Sequence, residues 1–206
     1  MGCLYAKDVI NTAINEIGYH ESGENWTKYA EQLDDCNYFE PQKKQNVAWC
    51  AIFCDWCCMV SAIPEDRDDD SKKYDAQYFL YQPSYYNYSA SASLFASYFS
   101  TAGAWHREPE KGDIVFFKDN TGAIVHCGIV EDIDGCLTTI EGNAGDQVQR
   151  KWYDFDSPRI AGYGRPRYDG YGSSDDNEPK PAPEVKEVNI TIKAPKDIKI
   201  NVNVEQ

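Results

Sequence analysis

The chain has 206 residues, 42% of them hydrophobic and 14% aromatic, enough to bury one good core and too few for two full domains. Thirty-four acidic residues against 20 basic ones give a formal charge of -14, which argues against a partner of nucleic-acid phosphates, whose binding depends on clustered Lys and Arg. No stretch approaches the roughly 18 apolar residues of a membrane span, and Met1 to Ile10 hold no basic-then-apolar export signal, so a soluble cytosolic product is expected, its eight cysteines mostly free thiols.

Ala6, Val9, Ile10, Ala13, Ile14 and Ile17 recur at three and four residue intervals, which predicts an amphipathic helix over 4–17, stopped by Gly18. A polar stretch with Trp26 and Tyr29 follows. From Cys50 to Ala62 the chain is apolar nearly all round and free of Gly and Pro, the pattern of a buried central helix with Cys50 in its first turn. Residues 64–88, with an acidic run at 66–70 and many tyrosines, read as an irregular surface connection shaping a groove. A short helix is expected over 91–102. Five β-rich runs then follow, at 113–117, 124–130, 136–141, 148–153 and 160–165, separated by turn residues such as Asp134-Gly135. Helices first and hairpin strands afterwards define an α+β fold, with the Cys50 helix packed on an antiparallel sheet. The domain is expected to span 1–168. A Gly, Ser, Asp and Pro-rich linker is expected over 169–184, and a β-hairpin over 185–206 from the alternation of Val185, Val188, Ile190 and Ile192 and of Ile198, Ile200, Val202 and Val204. An isolated hairpin is marginal in water, so this tail is expected to pair within a homo-oligomer or dock elsewhere.

Three residue types in order suggest a reaction. Cys50 at a helix N-terminus lies where unsatisfied amides and the helix dipole favour a thiolate. His126, in the strand Ile124-Val125-His126-Cys127-Gly128-Ile129-Val130, is a side chain able to take the thiol proton. Glu141 and Asn143 close the next strand, where either can orient the ring, although Gly142-Asn143 is also a good turn dipeptide. Cys50, Cys54, Cys57 and Cys58 share one helix and cannot surround an ion tetrahedrally, so they are expected to be core packing. A thiol-redox reading rests on Cys54 and Cys57.

With these residues in view, the chain resembles a CHAP domain, the cysteine, histidine-dependent amidohydrolase/peptidase branch of the papain-like enzymes that cut bacterial peptidoglycan. The resemblance runs from about Leu4 to Tyr168. It is carried by Trp49-Cys50-Ala51-Ile52-Phe53, by the segment Pro109 to Phe117, by His126-Cys127-Gly128-Ile129-Val130, by Glu141-Gly142-Asn143-Ala144-Gly145-Asp146 and by Gly162-Tyr163-Gly164-Arg165-Pro166. It implies that Cys50 is the nucleophile and His126 the general base, with Glu141 and Asn143 completing the site. Gln45, Asn46 and Trp49 are expected near the oxyanion and substrate. Some relatives bind calcium near the position of Asp34-Asp35-Cys36-Asn37, but these carboxylates are not spaced like a calcium loop, and no cofactor is expected. The implied activity is that of an endolysin, either an N-acetylmuramoyl-L-alanine amidase or a peptide-bridge endopeptidase. The alternatives are a catalytically silent wall-binding module of the same fold and an exported antibacterial effector.

Overall fold

The computed structural model describes residues 2–62 and 67–169. The expected linker and hairpin beyond Asp169 lie outside the described residues. Among the described residues five helices precede a six-stranded antiparallel sheet: α1 (Ala6–Asn15), α2 (Lys28–Asp35), α3 (Cys50–Val60), α4 (Asp69–Phe79) and α5 (Ala92–Thr101), then β1 (Trp105–His106), β2 (Ile114–Lys118), β3 (Ile124–Asp132), β4 (Leu137–Glu141), β5 (Gln149–Tyr153) and β6 (Ile160–Gly164). The order across the sheet is β1-β6-β2-β3-β4-β5. Consecutive hairpins join β2 to β5, and β6 returns to the free side of β2.

α3 is the centre of the molecule because its sequence gives it no polar face. Cys50 through Met59 are all buried, against α1, α2, α4, α5 and β3. Period-two alternation divides the sheet: Ile114, Phe116, Cys127 and Ile129 join the helix-side core, while Val115, Phe117, Val130, Leu137 and Tyr163 form a smaller cluster on the other face.

Two helices stand where the sequence predicts none. α2 lies in the polar stretch, capped by the Thr27 hydroxyl accepting from the Ala30 amide at 3.1 Å. α4 replaces most of the irregular connection expected over 64–88. Asp68 caps it by accepting from Ser71 N at 2.7 Å, and Asp69 and Asp70 suit the positive end of its dipole. Its inner face is polar, which hides it from a hydrophobic periodicity. Lys73 donates to the Cys36 carbonyl at 2.7 Å, Gln77 donates to the Tyr38 carbonyl at 2.9 Å, and Asp75 takes the Gly2 amide at 2.9 Å together with Arg67. These bonds replace ones that Lys73, Asp75 and the Gln77 amide nitrogen lost to water, while the Gln77 side-chain oxygen stays buried without a partner among the described residues.

The loop at 82–89 is anchored on α3 by the same rule. Asp55, wholly buried, accepts from Gln82 at 2.6 Å and from Ser89 at 2.6 Å, and burial pushes its carboxyl up to about 7. The last described residues close on the first: Asp169 N donates to the Leu4 carbonyl at 2.8 Å, and Leu4 N to the Asp169 carboxylate at 2.8 Å.

Candidate active site

α3 begins without a side-chain cap. Trp49 occupies the cap position at φ -113°, and no side chain satisfies the first-turn amides, which leaves this N-terminus able to face an anion. Trp49 itself is 0% exposed; its indole N–H donates to Glu21 at 2.7 Å and its ring packs on Tyr29 at 5.6 Å. The expectation that it lines the substrate surface is therefore corrected: a tryptophan beside the helix start is large and apolar, and it builds the floor under Cys50.

Cys50 is 5% exposed, and its thiol is held well below the usual thiol range. The largest cause is a hydrogen bond with the Cys127 thiol; burial opposes it, and the hydrogen bond and charge of His126 add to it. His126 moves in the complementary direction. Burial pulls its imidazole down, but the hydrogen bonds with Cys50 and then Glu141 outweigh burial and raise it to about 9. A thiol pushed down and an imidazole pushed up beside each other favour the thiolate–imidazolium pair.

Behind the ring, His126 Nε2 lies 2.9 Å from Glu141 Oε2. A carboxylate only accepts, so Nε2–H donates and Nδ1 is the atom left for the thiol. Glu141 is 2% exposed, and three donors reach it: His126, Thr139 Oγ1 at 2.7 Å and Tyr153 Oη at 2.8 Å. Burial works against the charge, yet these bonds hold the carboxyl below its usual range, the His126 bond contributing most.

The sequence leaves open whether Glu141 or Asn143 meets the imidazole; the geometry puts Glu141 there. Asn143 has φ 56° and donates to Asn25 at 3.3 Å, although it lines the same cleft as His126. Gln45, expected near the oxyanion, spends both ends of its carboxamide on Thr27, accepting from its amide at 3.1 Å and donating to its carbonyl at 2.8 Å. It braces the start of α2. Asn46 is exposed at φ 62°.

Three parts of the arrangement are absent from the sequence reading. Cys127 follows His126 in β3, and its side chain joins the helix-side core, where it meets Cys50. Thr139 shares the face of Glu141 two residues on, and Tyr153 comes across the β4–β5 pairing. Gly128 has a spatial cause: a Cβ there meets Glu141 Cγ at 2.6 Å, so the carboxylate crosses this point only over glycine. Gly142 similarly admits Phe53, whose Cβ lies 2.5 Å from an added methyl.

Cys54, Cys57 and Cys58 are free, 0% exposed and pushed up by burial, which removes the basis for a redox role of Cys54 and Cys57. Among the described residues no group of three or more His, Cys, Asp or Glu is placed to hold a metal ion. At the segment considered for calcium, Asp34 accepts from the Lys44 amide at 2.8 and 2.9 Å and the Lys43 ammonium reaches the Asp34 carbonyl, so donors of positive character occupy the oxygens a cation needs. No helix among the described residues is long and apolar enough to cross a membrane.

An α+β domain with a thiol at the start of its central helix, an imidazole on its antiparallel sheet and a carboxylate behind that ring has the groups that thiol-dependent amide hydrolysis calls for. The CHAP domain model matches residues 42–143, and the chain carries a CHAP domain, a cysteine/histidine-dependent amidohydrolase/peptidase domain. The solved structure described as "The crystal structure of Ly7917" is similar, at 20% identity and a TM-score of 0.47, over 79% of this chain and 62% of that one. This chain thus spans less than two thirds of that protein's length. No curated protein matches the chain.

Proposed function

We propose that this domain hydrolyses an amide bond of bacterial peptidoglycan by thiol acyl transfer, with Cys50 as nucleophile, His126 as its proton partner and Glu141 as the group that orients and charges the ring. The observation carrying the reading is the coupled pair: a Cys50 thiol held low beside a His126 imidazole raised to about 9 and tied to Glu141 at 2.9 Å. The thiolate attacks the carbonyl carbon of the scissile amide, and the developing oxyanion meets the uncapped first-turn amides of α3. Imidazolium gives its proton to the leaving amine, and a thioester forms on Cys50. His126 then takes a proton from water, which attacks the thioester and releases the acid product and the thiol. Glu141 keeps Nε2–H occupied throughout, so the ring works through Nδ1.

The wall substrate and the endolysin role rest on what CHAP domains act on, and the products decide between amidase and endopeptidase. Purified cell walls incubated with the protein are expected to lose turbidity, and the Cys50→Ala variant to leave them intact. Mass analysis of the soluble fragments then identifies the bond: a new amino terminus on L-alanine marks an N-acetylmuramoyl-L-alanine amidase, and one on another residue marks an endopeptidase. Clearance by Cys50→Ala at the parent rate overturns the reading.

A further inference from the structure

Beside His126 the sheet opens into a cleft of about 450 Å³, with His126 and Glu141 on one side and Lys151, Trp152, Tyr153 and Arg159 among its other walls. In a chain of net charge -14, the ionisable groups at this cleft other than the catalytic pair and Tyr153 are both cations. We propose that Lys151 and Arg159 form a carboxylate-recognition subsite, so that the preferred substrate is a peptide bearing a free carboxylate on the residue next to the scissile amide. The proposal rests on the hydrolase reading above and deepens it to a substrate class.

Position supports it. Lys151 and Tyr153 are two apart on β5 and share a face, and Tyr153 from that face reaches Glu141 at 2.8 Å; Lys151 itself pairs in register with Thr139, the other Glu141 donor. Arg159 precedes β6 and lies over the Phe117 ring at 6.0 Å; that ring is in turn 5.7 Å from the His126 ring and 4.8 Å from that of Tyr153. The two cations therefore flank one wall of the candidate centre.

Their partners support it too. Arg150, one residue from Lys151 and on the opposite face of β5, is committed to Glu131 through bonds of 2.6 and 2.7 Å. Lys151 and Arg159 have no ion pair with a carboxylate among the described residues. The one carboxylate at the cleft, Glu141, already takes three hydrogen bonds and faces an imidazolium. A guanidinium and an ammonium left in this way at the mouth of a cleft suit an incoming carboxylate, with which charge-assisted hydrogen bonds form. The free wall peptide supplies such groups, and its amidated form, in which the carboxylate is a carboxamide, does not.

The test is a pair of soluble wall peptides identical except that the residue beside the scissile amide carries a carboxylate in one and a carboxamide in the other. The parent protein is expected to favour the carboxylate peptide by about tenfold or more in kcat/KM, mostly through KM. Arg159→Ala and Lys151→Ala each bring that ratio toward one, Arg159→Glu inverts it, and Arg159→Lys restores part of it. Raised salt lowers the ratio for the parent and not for the double alanine variant. If both peptides are cleaved and the ratio is the same in parent and variants, the hydrolase reading stands and the subsite is overturned. If the parent cleaves neither peptide nor purified walls, the peptidoglycan reading fails and takes the subsite with it.

Discussion

The first turn of α3 and its interior carry the same residue type to opposite ends. Cys50 in the first turn is held low, whereas Cys54, Cys57 and Cys58 in the following turns are raised by burial. All four are nearly or wholly inaccessible, so exposure does not separate them. Neighbours do. Cys50 and Cys54 both meet the Cys127 thiol, but Cys50 alone of the four also meets the His126 imidazole and sits at the uncapped helix start, while Cys57 and Cys58 lie against one another and Cys54. Reactivity on this helix is thus set by what faces the sulfur, and the helix itself serves as the rod that delivers it.

The sharpest way to test that contrast is to remove one cysteine from each region. Cys50→Ala is expected to lower amide hydrolysis by about a thousandfold or more, while Cys57→Ala retains hydrolysis and loses about 1 kcal/mol of stability from the buried thiol; denaturation curves and wall clearance measured on both variants separate the two effects. Next in size is Glu141→Gln. Removing the charge behind the ring is expected to cost about a hundredfold in rate and to bring the imidazole down from about 9. The sign follows from the active form: thiolate and imidazolium are both needed, so activity rises as pH climbs through the Cys50 value and falls as His126 loses its proton. A rate profile against pH for Glu141→Gln should therefore show its alkaline limb at lower pH than the parent's.

Smaller changes refine the comparison. Cys127→Ala removes the thiol donor at Cys50 and is expected to raise its titration midpoint and slow acylation about tenfold, with Cys127→Ser keeping most of the parent rate because the hydroxyl still donates. Tyr153→Phe deletes one of three bonds on Glu141 and is expected to cost about threefold to tenfold in kcat with little effect on KM, the mark of a positioning residue.

Much of this was legible in the chain. α3 is apolar nearly all round, and β2 to β4 are short β-rich runs between turn residues, so the sheet, the central helix and the pair Cys50 and His126 follow from pattern and motif. The hidden parts depend on distant partners. α4 buries Lys73, Asp75 and Gln77 against Cys36, Gly2 and Tyr38, contacts spanning 37 to 73 residues of sequence that no local period encodes. Trp49 adjoins Cys50, which by sequence alone suggests a place near the substrate, yet its carbonyl starts the helix ladder, accepting from Phe53 N at 2.9 Å, while its ring turns into the core. Gln45 sits five residues before Cys50, and only the fold shows its amide closing on Thr27. The spacing His126-x-Gly128 gains its physical reason once Glu141 is seen passing over the glycine.

The direct measurement is the rate of Cys50 alkylation by iodoacetamide as a function of pH, read for each cysteine by peptide mass analysis. The account predicts that Cys50 reacts with a midpoint well below the roughly 8.5 of an ordinary thiol, that the midpoint rises in His126→Ala and Cys127→Ala, and that Cys54, Cys57 and Cys58 stay unmodified in the native protein. A Cys50 midpoint at the ordinary thiol value, unmoved by either substitution, contradicts it.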